Sequence, residues 1–304
     1  RQHSLFTQLL PETVQQYSID YYLLYRIIDT AEDLLQDFDL KKKLLSDVSE
    51  NFREGIIKTA EALKTKSELI DKNYLELLEN IKMVLKFHYC MDEHSKKNIE
   101  ETGRIMAGGM LKFVIKFEKS KQYQNIDFIS DINEFDEYCY YAAGCVGELN
   151  TRLFSIAGYY DLSKYDEKIK GDRELGNYLQ IVNIIRDNFS DKIIQDKNYF
   201  PAVNYNLKKS EQLIKIIEFA ANKESRIKSY IESITDKNVR MYCECLFNIA
   251  FEHYKFYRER GYDLISNPKI KPPFLKIFFT LPFSLKKNFV KYKLKKYAGF
   301  FNNC

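Results

Sequence analysis

Residues that favour turns are scarce in this sequence, since only 11 glycines and 6 prolines occur among 304 residues. Sheet proteins with many tight turns need more of both, so the composition argues against that class. Leucine, isoleucine, lysine, glutamate and tyrosine are abundant instead, and 45% of the residues are hydrophobic. This composition predicts an all-α chain with enough apolar side chains for one large core.

Cysteine and histidine are also few, and their spacing excludes two kinds of site. The six cysteines and four histidines form no Cys-x-x-Cys pair and no zinc-binding spacing. Neither a structural zinc site nor a disulfide framework is therefore expected. Free thiols suit a reducing compartment, so we predict a cytoplasmic protein.

Long apolar runs are missing as well. The stretch FLKIFFTLPFSL is interrupted by Lys276 and Pro282 and is too short to span a bilayer. Residues 264–304 carry nine lysines and no acid, and because the whole chain has a charge of +4, the remaining residues sum to −5. We predict a helical domain over residues 1–265 and a basic, aromatic tail or helix over residues 266–304. The tail either makes a peripheral contact with an anionic membrane surface or packs on the body of the protein; no nucleic-acid partner is expected.

Apolar residues recur at spacings of three and four through most of the chain, which is the period of amphipathic helices. Asp131, followed by Glu134, predicts a capping box at one helix start. The polar stretches 120–130 and 192–208 are predicted to be loops. The predicted helices span residues 12–37, 40–64, 68–90, 95–119, 132–158, 172–191, 209–233 and 237–264.

In YYLLYRIIDTAEDLLQD, residues 21–37, three acids within five residues follow an apolar stretch. Asp29 and Asp33 are four residues apart and share a helix face, with Glu32 beside them. Arg26 lies one turn earlier. Because this helix is apolar nearly all round, we expect it to be buried, with its acids facing a cavity or the rim of one.

A second stripe occurs in LQIVNIIRDNFSDK, where Asn183, Asp187 and Asp191 stand at i, i+4 and i+8 and Arg186 precedes Asp187. Clustered carboxylates repel one another and lose hydration, a cost that divalent cations offset. Mg²⁺ takes one or two carboxylates and completes its shell with water and substrate phosphates, while arginine binds diphosphate oxygens. The two stripes therefore indicate Mg²⁺ and a diphosphate. The alternative is a pair of solvated acidic faces on ordinary helices.

Four motifs, in order along almost the whole chain, resemble the squalene and phytoene synthase family. They are LLPETVQQYSIDYYLLYRIIDTAED, TGRIMAGGMLKFV, DEYCYYAAGCVGELNTRLF and LGNYLQIVNIIRDNFSDKIIQDKNYFP. The resemblance implies a single-domain, isoprenoid-synthase-type helical bundle around a central cavity. It also implies an enzyme that joins two prenyl diphosphates head to head.

The resemblance assigns roles to particular positions. Tyr138 matches the tyrosine placed near the ionising allylic diphosphate, and Arg26 and Arg186 match phosphate contacts. Positions lining the prenyl channel are matched by Ala142, Val146 and Gln180, and Tyr254 is expected to face the cavity. The implied Mg²⁺ and diphosphate shell comprises Asp29, Asp33, Asn183, Asp187 and Asp191, with the aspartates also implied in catalysis.

Three positions depart from the family pattern. Ser190 replaces the usual glutamate of the second motif, which removes one carboxylate and predicts weaker metal affinity. The N-terminal Ser-Arg-x-Phe survives only as RQH, with His3 in the aromatic position. Leu246 stands where the family usually has proline.

The product follows from the resemblance alone. DTAED and YCYYAAGCVGEL are more similar to squalene synthases than to phytoene synthases, which favours coupling of two farnesyl diphosphates to presqualene diphosphate and reduction by NADPH to squalene. A dehydrosqualene or phytoene synthase without reduction is the second expectation. A member that has lost catalysis and acts as a binding or assembly protein is the third.

Overall fold

The computed structural model describes residues 6–266 except 67, 69, 124–128, 166–169, 195–198 and 200–208. Side chains of residues 73, 121–123, 188–194, 209–210 and 261–266 are outside the description as well. The predicted tail beyond residue 266 and the N-terminal Arg1 and His3 therefore lie outside the described residues. Within the described ranges, all regular secondary structure is helical, as the composition predicts.

Twelve α-helices, numbered in chain order within the described residues, build the fold. They are α1 (Glu12–Leu34), α2 (Phe38–Glu50), α3 (Phe52–Lys64), α4 (Lys72–Glu79), α5 (Ile81–Tyr89), α6 (Glu93–Tyr123), α7 (Ile132–Cys139), α8 (Cys145–Ile156), α9 (Gly171–Ile194), α10 (Lys209–Ala221), α11 (Glu224–Ser233) and α12 (Lys237–Ser266). A π-helical turn, Tyr140–Gly144, joins α7 to α8 without a loop. Short 3₁₀ turns lie at Thr7–Leu9 and Leu162–Lys164.

Three of the predicted helices are each broken into two. The predicted helix 40–64 ends at Glu50, because Asn51 is extended (φ −137°, ψ 95°) and its side chain accepts a hydrogen bond from the backbone N–H of Glu54. Asn80 separates α4 from α5, and residues 222 and 223 separate α10 from α11. Asn80 makes no such cap, but its side-chain amide donates to the carbonyl of Glu76 at 2.8 Å. Asparagine competes for backbone hydrogen bonds in these ways at helix ends, and apolar periodicity alone does not reveal it.

The predicted N-cap at Asp131 is confirmed. Its carboxylate accepts hydrogen bonds from the backbone N–H groups of Asn133 and Glu134. Glu134 differs from the capping-box expectation, because its carboxylate accepts from the backbone N–H and hydroxyl of Ser130 rather than from Asp131. The cap fixes the start of α7, which carries Tyr138.

Two apolar cores lie side by side. One joins α1–α6 with the inner face of α8, around Leu24, Val48 and Ile56. The other joins α7 and α9–α12, around Phe135 and Tyr178. The α1 helix belongs to the first core and α9 to the second, so the space between the cores is bordered by the two helices that carry the acidic stripes.

Glycines allow the backbone of α9 to approach the backbones of α8 and of the π-helical turn closely. A Cβ atom at Gly147 would lie 2.1 Å from the carbonyl oxygen of Asp172, and one at Gly176 would lie 2.3 Å from that of Ala143. Only glycine permits backbones to approach so closely. The π-helical turn next to this contact widens the helix where Ala142 reaches the cavity, a common use of such turns at functional sites.

Candidate active site

Two adjoining cavities lie between the cores. An outer, polar cavity of about 210 Å³ and an inner cavity of about 360 Å³ share five lining residues. The shared residues are Arg26, Asp29, Ala142, Gln180 and Asn183. The two cavities therefore adjoin; the smaller, polar one is called the mouth below, and the larger one the inner cavity.

The structure brings the two acidic stripes together at this mouth. Helix α1 contributes Asp29 and Asp33, and α9 contributes Asn183 and Asp187, although the stripes are separated by about 150 residues of chain. Arg186 and Asp187 line this mouth but keep side-chain exposures of 38% and 41%, so the α9 stripe is solvated at this end, in part as the alternative predicts. Asp191 and Ser190 are also on α9, but their side chains lie outside the described part of the chain.

Each stripe carries its own arginine. Arg26 forms an ion pair with Asp29 one turn away, and its guanidinium lies 4.5 Å from the ring centre of Tyr74. Arg186 Nε donates to Asp187 Oδ1 at 2.8 Å. Burial lowers the pKa of Arg26, but the Asp29 carboxylate together with the smaller effects of Tyr74, Tyr22 and Asp33 outweighs burial, and the net pKa is raised. Arg26 therefore keeps its positive charge beside the acids.

The donor set at the mouth fits a divalent cation that is shared with a substrate. Carboxylates and an amide oxygen are the ligands that Mg²⁺ prefers. The Asn183 amide N–H₂ donates to Gln180 Oε1 at 3.3 Å, which leaves the Asn183 oxygen directed elsewhere. Among the described side chains, no three His, Cys, Asp or Glu residues form a ready-made metal cluster.

Tyr138 lines the mouth from α7. Its ring stacks on Tyr199 with centres 4.9 Å apart and meets Phe113 edge-on at 5.1 Å. Burial raises the pKa of Tyr138 far above its usual value, and the carboxylates of Glu32 and Asp33 raise it further. The hydroxyl therefore stays protonated and available as a hydrogen-bond donor.

The predicted channel residues divide into two groups. Ala142, Val146 and Gln180 line the inner cavity, as does Leu246, which replaces the family proline. Tyr254 lines neither cavity, so the expectation that it faces the substrate space is wrong for these two cavities. Its hydroxyl donates to the carbonyl of Tyr178 at 2.8 Å, and its ring packs inside the second core.

A comparison with protein families identifies the family of this chain. Residues 1–255 match the family model described as squalene/phytoene synthase. The chain belongs to this family. The match covers every motif quoted above and confirms the resemblance.

Individual relatives of the family are distant. The chain is 28% identical over 182 residues to squalene synthase ERG9 of Saccharomyces cerevisiae, covering 60% of this chain and 38% of that protein. It is also 28% identical over 204 residues to lycopaoctaene synthase of Botryococcus braunii, covering 66% of this chain and 40% of that protein. The chain thus matches about two fifths of the length of these relatives, and equal identity to synthases with different names leaves the product open.

A solved structure shows the same architecture. The complex of TcSQS with the ligand BPH1237 superposes with a TM-score of 0.68 at 18% identity, covering 91% of this chain and 84% of that one. At this identity the likeness shows the fold alone. It confirms the predicted helical bundle of the squalene/phytoene synthase type.

Several lining residues were not assigned a role from the sequence. Glu32 and Tyr199 line the mouth, and Tyr21, Asn150 and Tyr242 line the inner cavity. The spacing of Glu32 and Asp29 could have predicted that Glu32 lines the mouth, since residues i and i+3 share a helix face. The others stand in helices or loops far apart in the chain, and no local pattern brings them together.

The described helices were compared with the length and apolar character that a membrane-spanning helix needs. None of the helices in the described residues combines enough length with enough apolar character to cross a bilayer. A peripheral contact through the tail remains a prediction, because that segment lies outside the described residues.

Proposed function

We propose that this protein is a Mg²⁺-dependent prenyltransferase that joins two farnesyl diphosphates head to head. The product would be presqualene diphosphate, and reduction with NADPH as co-substrate would give squalene. One observation carries the proposal: both acidic stripes and both arginines line a single polar mouth that adjoins the inner cavity. Family membership supports the reaction class.

The mouth has the parts needed to bind and ionise an allylic diphosphate. Arg26 and Arg186 can each turn from its neighbouring aspartate to a diphosphate oxygen, with charge-assisted hydrogen bonds. Asp29, Asp33, Asn183, Asp187 and Asp191 would hold Mg²⁺. When bound, the metal would supply Lewis-acid stabilisation of the departing diphosphate.

The remaining chemistry belongs to aromatic and apolar side chains. The protonated hydroxyl of Tyr138 could donate to the leaving diphosphate, and the aromatic rings of Tyr138 and Tyr199, which stack on each other at this mouth, would stabilise an allylic cation formed beside them. The C2=C3 double bond of the second chain would attack that cation at C1 of the first chain, and loss of a proton from that C1 would then close the cyclopropane ring of presqualene diphosphate. The mainly apolar lining of the inner cavity would keep water away from the cation, which would otherwise be hydrolysed to an alcohol.

An activity assay separates the products. Purified protein would be incubated with farnesyl or geranylgeranyl diphosphate and Mg²⁺, with and without NADPH, and the hydrocarbon identified by mass spectrometry. A reduced C30 hydrocarbon formed only with NADPH is the expected result. Dehydrosqualene or a C40 product would replace the squalene assignment, and no release of diphosphate under any condition would refute the enzyme and favour a binding or assembly protein.

Site variants test the mouth itself. Asp29→Asn and Asp187→Asn should each lower turnover by about 10²-fold or more, because each removes a charge that acts on the transition state. The matched control is Asp39→Asn, an exposed aspartate of α2. All three variants should keep the wild-type circular dichroism spectrum and melting temperature. Near-normal rates in Asp29→Asn and Asp187→Asn would contradict the site.

A further inference from the structure

A buried cluster of charged and amide side chains lies outside the mouth and the inner cavity. Lys223, the residue before α11, is 2% exposed, and its ammonium lies 2.7 Å from Asp136 Oδ1 of α7 and 2.6 Å from Glu174 Oε2 of α9. Asn177 of α9 is fully buried, and its amide N–H₂ donates to Asp136 Oδ1 at 2.8 Å. These four residues, here called the anchor cluster, connect α7 to α9 and to the start of α11.

The ammonium of Lys223 holds two like charges together. Because Asp136 and Glu174 contact the same nitrogen, their carboxylates are no more than about 5 Å apart and would repel each other without it. Two arginines lie at the edge of the cluster. Arg226 is 2.9 Å from Glu174 and Arg173 is 3.9 Å from Asp136, with side-chain exposures of 40% and 29%. Solvent screens these more exposed pairs, so the buried ammonium contributes most of the attraction.

The anchor cluster holds the helix that carries Tyr138. Helix α7 is only eight residues long, and Asp136 precedes Tyr138 by two residues. Residues two apart on a helix point to nearly opposite sides of it, since each residue turns by about 100°. Asp136 therefore bonds towards α9 and α11, while Tyr138 lines the mouth. The cluster fixes the backbone of α7 and does not itself line the mouth.

The other side of the cluster belongs to the helix of the second acidic stripe. Helix α9 carries Glu174 and Asn177, and two turns later it carries Asn183 and Asp187 at the mouth. The π-helical turn after α7 packs on the cluster as well, because a Cβ atom at Gly144 would lie 2.1 Å from Asn177 Oδ1. The cluster thus sets how α7 lies against α9, and with it the distance between the Tyr138 hydroxyl and the second stripe.

We propose that Lys223 is a positioning residue, whose ammonium holds α7 against α9 so that the Tyr138 hydroxyl meets the leaving diphosphate. This inference rests on the proposed function, because it requires a diphosphate at the mouth. Without the ammonium, repulsion between Asp136 and Glu174 would move α7 away from α9 and take Tyr138 with it. A cluster with a purely structural role would lower stability but leave the turnover of the folded protein unchanged.

A double-mutant cycle with Tyr138 separates these roles. The release of diphosphate from farnesyl diphosphate with Mg²⁺ would be followed for the wild type, Lys223→Met, Tyr138→Phe and the double variant. Lys223→Met should lower kcat by about 10-fold to 100-fold, because a displacement of about 1 Å costs up to about 10² in rate. Its KM should change by less than about threefold, since the groups that bind the diphosphate are intact. In the Tyr138→Phe background, Lys223→Met should change kcat by less than about twofold, because the hydroxyl that it positions is already absent.

Controls exclude an effect of lost stability. Each variant would be assayed well below its own melting temperature, measured by circular dichroism. Val48→Ala is the matched control, because Val48 is fully buried in the first core and lines neither cavity; it should leave kcat within about twofold of the wild type. Asn177→Ala enters the same cycle in case Lys223→Met does not fold, since it removes one hydrogen bond to Asp136 and keeps the ion pairs.

The possible outcomes are distinct. A wild-type kcat in the folded cluster variant, or a loss that multiplies in full with that of Tyr138→Phe, would overturn the inference and leave the proposed function intact. No release of diphosphate by the wild type would overturn the proposed function and this inference with it.

Discussion

Stability should fall between pH 6.5 and pH 9 because of one buried histidine. His88 of α5 is fully buried, with Nδ1 2.6 Å from Asp20 Oδ2 on α1 and Nε2 3.3 Å from Glu100 Oε1 on α6. Burial lowers the pKa of His88, but hydrogen bonds and charge from the two carboxylates outweigh burial and raise it from 6.5 to about 9. At neutral pH the folded protein therefore holds a charged imidazolium between three helices.

The direction of the pH effect follows from linkage. A raised pKa in the folded state contributes stability that is fully present below the unfolded value of 6.5 and is lost as the pH rises through about 9. The difference of 2.5 pH units corresponds to about 3 kcal/mol in the free energy of unfolding, at about 1.4 kcal/mol per unit. This is a large part of the stability of a typical domain.

Urea unfolding at pH 6 and pH 9 measures the effect, with the double variant Asp20→Asn/His88→Gln as the reference. The double variant keeps polar partners at both positions but removes the titrating histidine. Burial raises the pKa of Cys139, Cys145, Cys243 and Cys245, and these thiols also destabilise the fold at high pH, but their contribution is the same in both proteins. The reasoning is refuted if the wild type and the double variant lose equal free energy between the two pH values.

Two further predictions concern the packing that shapes the site. Lys223 is 2% exposed, and its ammonium lies 2.7 Å from Asp136 and 2.6 Å from Glu174. Lys223→Met should lower the free energy of unfolding, measured with urea, by about 3 kcal/mol, because two carboxylates lose their buried partner. The control Lys228→Met, at an exposed lysine, should lower the free energy of unfolding by less than about 1 kcal/mol. Equal losses in the two variants would contradict the role of burial in the Lys223 ion pairs. Gly176→Ala should destabilise by about 1 to 3 kcal/mol, since its Cβ would meet the carbonyl of Ala143 at 2.3 Å. Gly108→Ala, whose nearest contact would be 3.8 Å, is the control and should melt at or above the wild-type temperature.

Local sequence patterns predict which faces of the helices are buried and which carry charge. The four-residue spacing of Asp29 and Asp33 places them on one face whatever the rest of the chain does, and the same holds for Asn183 and Asp187. Apolar flanks predict that both faces point inward. Local pattern fails at Asn51 and Asn80, where a side chain that competes for backbone hydrogen bonds ends a helix inside an apolar period.

The sequence by itself determined an all-α chain, two acidic stripes with their arginines, and the family to which these motifs belong. Only the tertiary structure decided which helices face one another. Tyr254 matches a cavity position by motif but packs against Tyr178, whereas Tyr21, Asn150 and Tyr242 line one cavity from helices up to about 220 residues apart. The physical reason is that helical periodicity fixes the direction of a side chain around its own axis, while the neighbour that it meets depends on packing of all the helices together.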